Sequence, residues 1–235
     1  MRDNEEQPGD AAPPAEGQSD TLAAALSRHG LELNSRQAVL VERYAGLLWD
    51  VNTRLNLTRH TDWDRFVGRD LADAWQLSQL LAANERVLDV GTGGGLPGVL
   101  LAILRPDLNL ALLDQTAKKI RAVAEMIDAT GLEISTYAAR IQEHLADYRY
   151  DTLVLRAVGP IVKVLPWVRP HWSHIGRLLL IKGPAWKDEC AAAAEANLTK
   201  RLNIERRVSY PLYGTQSQSV ILEVKPPGRK GAAGR

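Results

Sequence analysis

The segment Asp89 to Pro97, Asp-Val-Gly-Thr-Gly-Gly-Gly-Leu-Pro, follows the apolar run Val87-Leu88 and leads into Gly98-Val99-Leu100-Leu101-Ala102-Ile103. That order spells a strand, a glycine turn and the start of a helix. Glycines at the end of a parallel strand let the backbone approach a ligand with no Cβ in the way, and the helix that follows offers unpaired amides beside it. Pro97 suits the first helical turn, where its missing N–H is not needed. The next apolar run, Leu110-Ala111-Leu112-Leu113, ends at Asp114, a carboxylate able to accept both hydroxyls of a ribose. A nucleoside cofactor is expected at these two tips.

Two cofactor classes use such a site. Gly93-Gly94-Gly95-Leu96-Pro97-Gly98 reads literally as G-x-G-x-x-G, the dinucleotide fingerprint. Its register is off, because the glycine that makes the tight turn after the strand is Gly91. The spacing is then Gly91-x-Gly93-x-Gly95, with Leu96 where the third dinucleotide glycine would fall. An acidic residue just ahead, Asp89, completes a pattern of S-adenosylmethionine sites, which have no pyrophosphate to cradle. The methyl donor is therefore weighted above NAD. Asp89 is placed either to orient the loop or to meet the methionine ammonium; plain turn chemistry is the alternative for it and for Gly95.

Other strand ends narrow the chemistry. Arg140-Ile141-Gln142 follows the third strand, where Ile141 lies on an adenine face and Gln142 meets its edge, or where an ordinary helix begins; the two readings stand level. Arg156 follows the apolar run Leu153-Val154-Leu155 and requires an anionic or acceptor partner if buried, which favours a functional role. Arg156-Ala157-Val158-Gly159-Pro160 stands where enzymes that methylate adenine N6 carry an Asn/Asp-Pro-Pro-aromatic turn. Pyrimidine C5 methylation needs a cysteine nucleophile, and the single cysteine, Cys190, lies in a helical pattern far from the tips. A ring nitrogen such as guanine N7 already has a lone pair and needs only in-line placement.

The elements that must position these residues are legible in the apolar pattern. The chain has 235 residues, 45% of them hydrophobic, enough for a buried core, and a net charge of +1 gives no overall basic field. Residues 1–18 and 226–235 lack hydrophobes to bury and read as disordered tails. Residues 19–83 read as a helical cap, with helices over Thr21–His29, Ser35–Leu55 and Asp62–Leu81, the second presenting Val39, Leu40, Tyr44, Leu47 and Leu48 on one face. Over 84–225, strands at 86–90, 109–113, 133–137, 151–155, 177–181, 204–210 and 218–224 alternate with helices at 97–104, 116–130, 160–169 and 187–199. This is the order of an α/β doubly wound, mostly parallel, seven-stranded sheet. A lone cysteine, no signal-like stretch and no metal-ligand cluster predict a cytoplasmic protein without metal or membrane anchor.

The residues from about Ala38 to Lys225 resemble the small-subunit (16S) ribosomal RNA guanine-N7 methyltransferases, also called glucose-inhibited division protein B. The matching parts are Trp49-Asp50-Val51-Asn52-Thr53-Arg54-Leu55-Asn56-Leu57-Thr58, Arg69-Asp70-Leu71-Ala72-Asp73, Asp89 to Gly98, Leu113-Asp114, Lys118-Lys119, Leu155-Arg156-Ala157 and Lys182-Gly183. The resemblance implies the class I S-adenosylmethionine-dependent fold. It implies donor contacts at Gly91, Leu96, Ile141, Gln142 and Arg156, beside the Gly93, Gly95 and Asp114 expected from the loop. It also implies a guanine N7 in 16S ribosomal RNA or a small-subunit precursor as acceptor, handled by a monomer. Departures fall at Asp70, where the family has histidine, at Ala74, where it has serine, and over 214–219; they are expected on the RNA side, weakening phosphate contact. Arg69, Lys118, Lys119 and Lys182 are the expected RNA contacts, Lys118 and Lys119 because cations at a helix start hint at an anionic partner. Trp49, Trp63 and Trp75 are expected to pack between cap and sheet. Another RNA or a small molecule as acceptor, or a non-catalytic RNA-binding relative, are the alternative readings.

Overall fold

A computed structural model describes residues 19–226; the tails read as disordered lie outside them, Pro226 apart. Strands β1 (Arg86–Val90), β2 (Asn109–Asp114), β3 (Ser135–Ala138), β4 (Tyr150–Arg156), β5 (Ile175–Lys182), β6 (Asn203–Pro211) and β7 (Gln218–Lys225) form one sheet in the order β3-β2-β1-β4-β5-β7-β6. The first five are parallel, and β7 runs antiparallel between β5 and β6. Parallel strands need crossovers, supplied here by α5 (Gly98–Leu104), α6 (Ala117–Thr130), α7 (Ile141–Asp147), α8 (Ile161–Val168) and α9 (Trp186–Glu195). Strand order reverses at β1, which pairs with β2 on one side and β4 on the other, so a crevice opens beyond the β1 and β4 tips.

Each central strand is buried on both faces, which is why it reads as a continuous apolar run. Alternate residues serve two cores. Val87, Leu110, Leu112, Val154 and Leu179 pack under the cap, α5 and α6, while Leu88, Ala111, Leu113, Leu153 and Leu178 pack under α7, α8 and α9.

The cap comprises α1 (Leu22–His29), α2 (Ser35–Leu55), α3 (Trp63–Arg65), a π-helical segment (Phe66–Leu71) and α4 (Ala72–Ser78). Thr21 caps α1, and Asn34 with Gln37 forms a capping box at α2, as residue types before an amphipathic run dictate. The buried face of α2 is Val41, Tyr44, Ala45 and Leu48; Val39, expected on it, is 64% exposed. The helix expected over 62–81 is interrupted by the π segment and ends at Ser78. A Cβ at Gly68 would stand 2.7 Å from His29 of α1 and from Tyr213 of the β6–β7 connection, so this turn is shaped by two distant elements. Trp49 and Trp63 meet edge to face at 4.8 Å and both pack near Phe66, the packing role expected of them. Helix α7 begins at Ile141, where a helix start is one of the two readings; a 3-10 turn over Arg169–His174 goes beyond the sequence pattern, being too short to show a period.

Candidate active site at the strand tips

The glycine loop is tied down on three sides. Gly91 and Thr92 both donate their N–H to Leu113 O at the tip of β2, at 2.7 and 3.1 Å. Tyr44 of α2 donates its hydroxyl to Gly94 O at 2.5 Å, so the cap reaches down to shape the loop. A Cβ at Gly95 would stand 2.8 Å from that hydroxyl, so only glycine fits between loop and cap. Gly93, at φ 59°, is different: it is partly exposed, and a Cβ there would meet nothing nearer than Gly91 O at 3.9 Å. Gly93 forms the open floor of the loop; at Gly91 the space a side chain would take is already filled by Val158, whose Cγ2 is 2.8 Å from where a Cβ would stand, and Gly95 and Leu96 are buried beneath.

Two carboxylates organise this floor. Asp89 Oδ2 accepts the Thr92 hydroxyl at 2.7 Å and the Gly98 N–H at 2.9 Å, spanning the loop from its start to the first residue of α5. The residue is 1% exposed, so of the two roles expected for Asp89 the structure supplies loop orientation. Asp114 Oδ2 accepts Gly93 N–H at 3.1 Å and its Oδ1 accepts Thr116 N–H at 2.8 Å, which leaves lone pairs on both oxygens at the tip. Ala139 N–H on Asp114 O, at 3.2 Å, brings the end of β3 alongside. There α7 begins with Ile141 buried in the core and Gln142 half-buried.

Burial pushes the Asp89 carboxyl up to about 6 from 3.8, against the hydrogen bonds from Thr92 and Gly98. An acid whose folded pKa is raised binds more protons folded than unfolded between the two values. The stability it contributes is therefore present at low pH and lost as pH rises from about 4 to about 6. Asp89→Asn keeps an acceptor for both donors and cannot titrate. The variant is expected to gain stability relative to the parent between about pH 5 and about pH 7.5, read from urea unfolding at both values. A difference that stays constant with pH would show that Asp89 does not titrate in this window.

At the β4 tip Arg156 is enclosed by two carboxylates of the cap. Its Nη2 meets Asp70 Oδ1 at 2.5 Å and its Nε meets Asp73 Oδ2 at 2.7 Å. Asp70 Oδ2 also meets His60 Nδ1 at 2.9 Å, and Asp73 Oδ1 accepts the Tyr210 hydroxyl at 2.6 Å. Burial disfavours the charge on Arg156, and the attraction of Asp70 and Asp73 more than offsets it, raising its pKa further. Beside this cluster lies a cavity of about 380 Å³ lined by Arg69, Asp73, Arg156, Lys182, Glu189 and Ser219, among others. A larger one, about 1180 Å³, sits at the opposite end of the sheet, against Arg86, Asn109 and Ser135, where doubly wound folds do not bind their ligands.

Comparison with known families matches residues 37–217 to rRNA small subunit methyltransferase G, GidB. The chain belongs to that family. Ribosomal RNA small subunit methyltransferase G of Rhodopirellula baltica is 46% identical over 188 residues, covering 80% of this chain and 81% of the relative. The protein of the same description from Chlorobaculum tepidum is 31% identical over 208 residues, covering 87% and 91%. Among solved structures, M. capricolum TrmK in complex with S-adenosylhomocysteine has a TM-score of 0.51 at 14% identity, over 66% of this chain and 68% of that one, a likeness of fold.

In this member of the GidB family two residues expected on the RNA side lie inside the fold. Asp70 is 1% exposed and paired with Arg156 and His60, so its departure from the family histidine changes a buried ion cluster and not a phosphate contact. Lys182, expected to meet RNA, is 9% exposed; its Nζ pairs with Glu189 at 2.8 Å and donates to Gly159 O at 2.6 Å. Of the other expected cations, Lys118 is exposed, Lys119 and Arg69 are half-buried, and Arg69 Nε donates to Tyr213 O at 2.8 Å. Sequence reasoning missed Tyr44, Asp73 and Glu189. Tyr44 stood only on an apolar face, Asp73 only as the last residue of the Arg69–Asp73 segment that matches the family, and Glu189 carried no local signal. Among the described residues no helix is long and apolar enough to cross a membrane, and no group of three or more His, Cys, Asp or Glu could hold a metal.

Proposed function

We propose that this chain transfers a methyl group from S-adenosylmethionine to N7 of a guanine in 16S ribosomal RNA. Family membership makes it a methyltransferase of small-subunit ribosomal RNA, and the observation that carries the cofactor reading is the open floor at Gly93, whose N–H is held by the tip carboxylate of Asp114. The residues fit the group. A side-chain-free floor admits its backbone-facing atoms, Asp114 keeps lone pairs for ribose hydroxyls, and Gln142 at the neighbouring tip suits an adenine edge, with Ile141 beneath it. Gly95 and Leu96 support the floor from below, and Arg156 acts as a positioning residue through Asp70 and Asp73.

When bound, the donor supplies a methyl on a sulfonium, which any in-line lone pair can take. The chain's own task is placement, because N7 has its lone pair in the ring plane and no side chain need remove a proton. Exposed Lys118, with Lys119, is the surface we assign to RNA phosphates. The chain works as a monomer in the cytoplasm, on naked ribosomal RNA or a small-subunit precursor.

The purified chain with labelled donor should methylate ribosomal RNA from cells lacking this gene, and mass mapping should place the label on a 7-methylguanine. Single-turnover transfer is expected to vary little between about pH 6.5 and about pH 8.5, since no histidine-like base is needed. A steep rise with a midpoint near neutrality, or label on another atom, would overturn the N7 reading.

A further inference from the structure

The cavity at the β4 and β5 tips shares a wall with the glycine loop. Ala157 and Gly159 line the cavity, and between them Val158 lies against Gly91, its Cγ2 2.8 Å from where a Cβ would stand. Most polar groups around the cavity satisfy one another: Arg156 with Asp73, and Lys182 with Glu189 and Gly159 O. Two do not. Glu189 takes both its contacts, Lys182 Nζ at 2.8 Å and Ile161 N–H at 2.9 Å, on Oε2, so Oε1 is held in place without a hydrogen bond. Arg69 uses only Nε, on Tyr213 O, and its terminal nitrogens donate to no protein group among the described residues.

We infer that this cavity receives the acceptor base and that Glu189 and Arg69 select guanine; the inference rests on the methyl-transfer reading above. One fixed anionic acceptor and one fork of donors complement the guanine edge, on which O6 accepts and N1–H and N2–H donate. Adenine presents the reverse, an amino group toward Arg69 and the N1 lone pair toward a carboxylate, so the same two residues attract one purine and repel the other. With O6, N1 and N2 engaged, N7 on the adjacent edge stays uncovered.

The test is nucleotide binding to the full chain saturated with S-adenosylhomocysteine, so that the adenosine site is already filled. Guanosine monophosphate is expected to bind at least about tenfold more tightly than adenosine monophosphate, with inosine monophosphate, which lacks the N2 amino group, in between. Glu189→Gln and Glu189→Ala should both reduce the guanine preference to within about threefold while S-adenosylhomocysteine affinity and the melting temperature report an intact fold. Equal affinity for the two purine nucleotides in the parent chain overturns the inference. So does a preference unchanged in both variants, or no guanosine monophosphate binding at millimolar concentration. Failure of S-adenosylhomocysteine itself to bind would instead overturn the methyl-transfer reading and this inference with it.

Discussion

Asp114→Ala is expected to weaken binding of S-adenosylmethionine by about 2–3 kcal/mol, roughly thirty- to more than a hundredfold, with the fold intact. Two effects act together. The ribose hydroxyls lose an ionised acceptor, the stronger kind of hydrogen-bond partner. The loop also loses its anchor, since Asp114 Oδ2 accepts Gly93 N–H at 3.1 Å while Oδ1 accepts Thr116 N–H at 2.8 Å. Asp114→Asn keeps one acceptor but turns an amino group toward one of those two N–H donors, so it should fall between parent and alanine variant. Calorimetry with the donor or its demethylated product reads the effect. An alanine variant within about twofold of the parent would remove Asp114 from the ribose site.

Arg156→Met is expected to destabilise the protein by about 3–5 kcal/mol near neutral pH, because it leaves Asp70 and Asp73 buried and uncompensated. Those carboxylates are 1% and 5% exposed, and among the described residues His60 and the Tyr210 hydroxyl remain in contact with them, with the Arg69 charge acting on Asp73 from farther off. Burial already raises the Asp73 pKa, chiefly against the pull of Arg156, and removing that cation pushes it further up. The deficit should therefore shrink as pH falls and the Asp73 carboxyl takes up a proton. Adding Asp70→Asn and Asp73→Asn to Arg156→Met should recover most of the loss, as replacing all charges of a buried cluster does. Urea unfolding of the three proteins at about pH 5 and about pH 7.5 distinguishes these outcomes. A loss under about 1 kcal/mol in the single variant would mean that water or a local shift solvates the carboxylates.

The sheet and the glycine floor were legible in the sequence because their causes are local. A parallel strand buried on both faces must be apolar along its length, as Leu110-Ala111-Leu112-Leu113 and Leu153-Val154-Leu155 are. The loop after β1 needs positive φ at Gly91, Gly93 and Gly95, which only its glycines adopt freely, and the tip carboxylate at Asp114 follows directly from the end of its apolar run. The cap helices α1 and α2 announce themselves through caps and a repeating buried face.

The tertiary structure alone decided where the charges point. Arg156 lies 83 or more residues from its partners Asp70 and Asp73, and they meet only because the sheet order sets the β4 tip under the cap. Lys182 reads as a surface cation beside Gly183, yet Glu189 and Gly159 O draw it inward once α9 and the β4–α8 loop pack against β5. Gly68 breaks the helical period because His29 and Tyr213 close in on it from separate elements. Burial of an apolar run follows from its own residue types and can be read locally, single positions such as Val39 apart. The pairing of a polar one belongs to two residues at once, and their meeting is settled by chain topology.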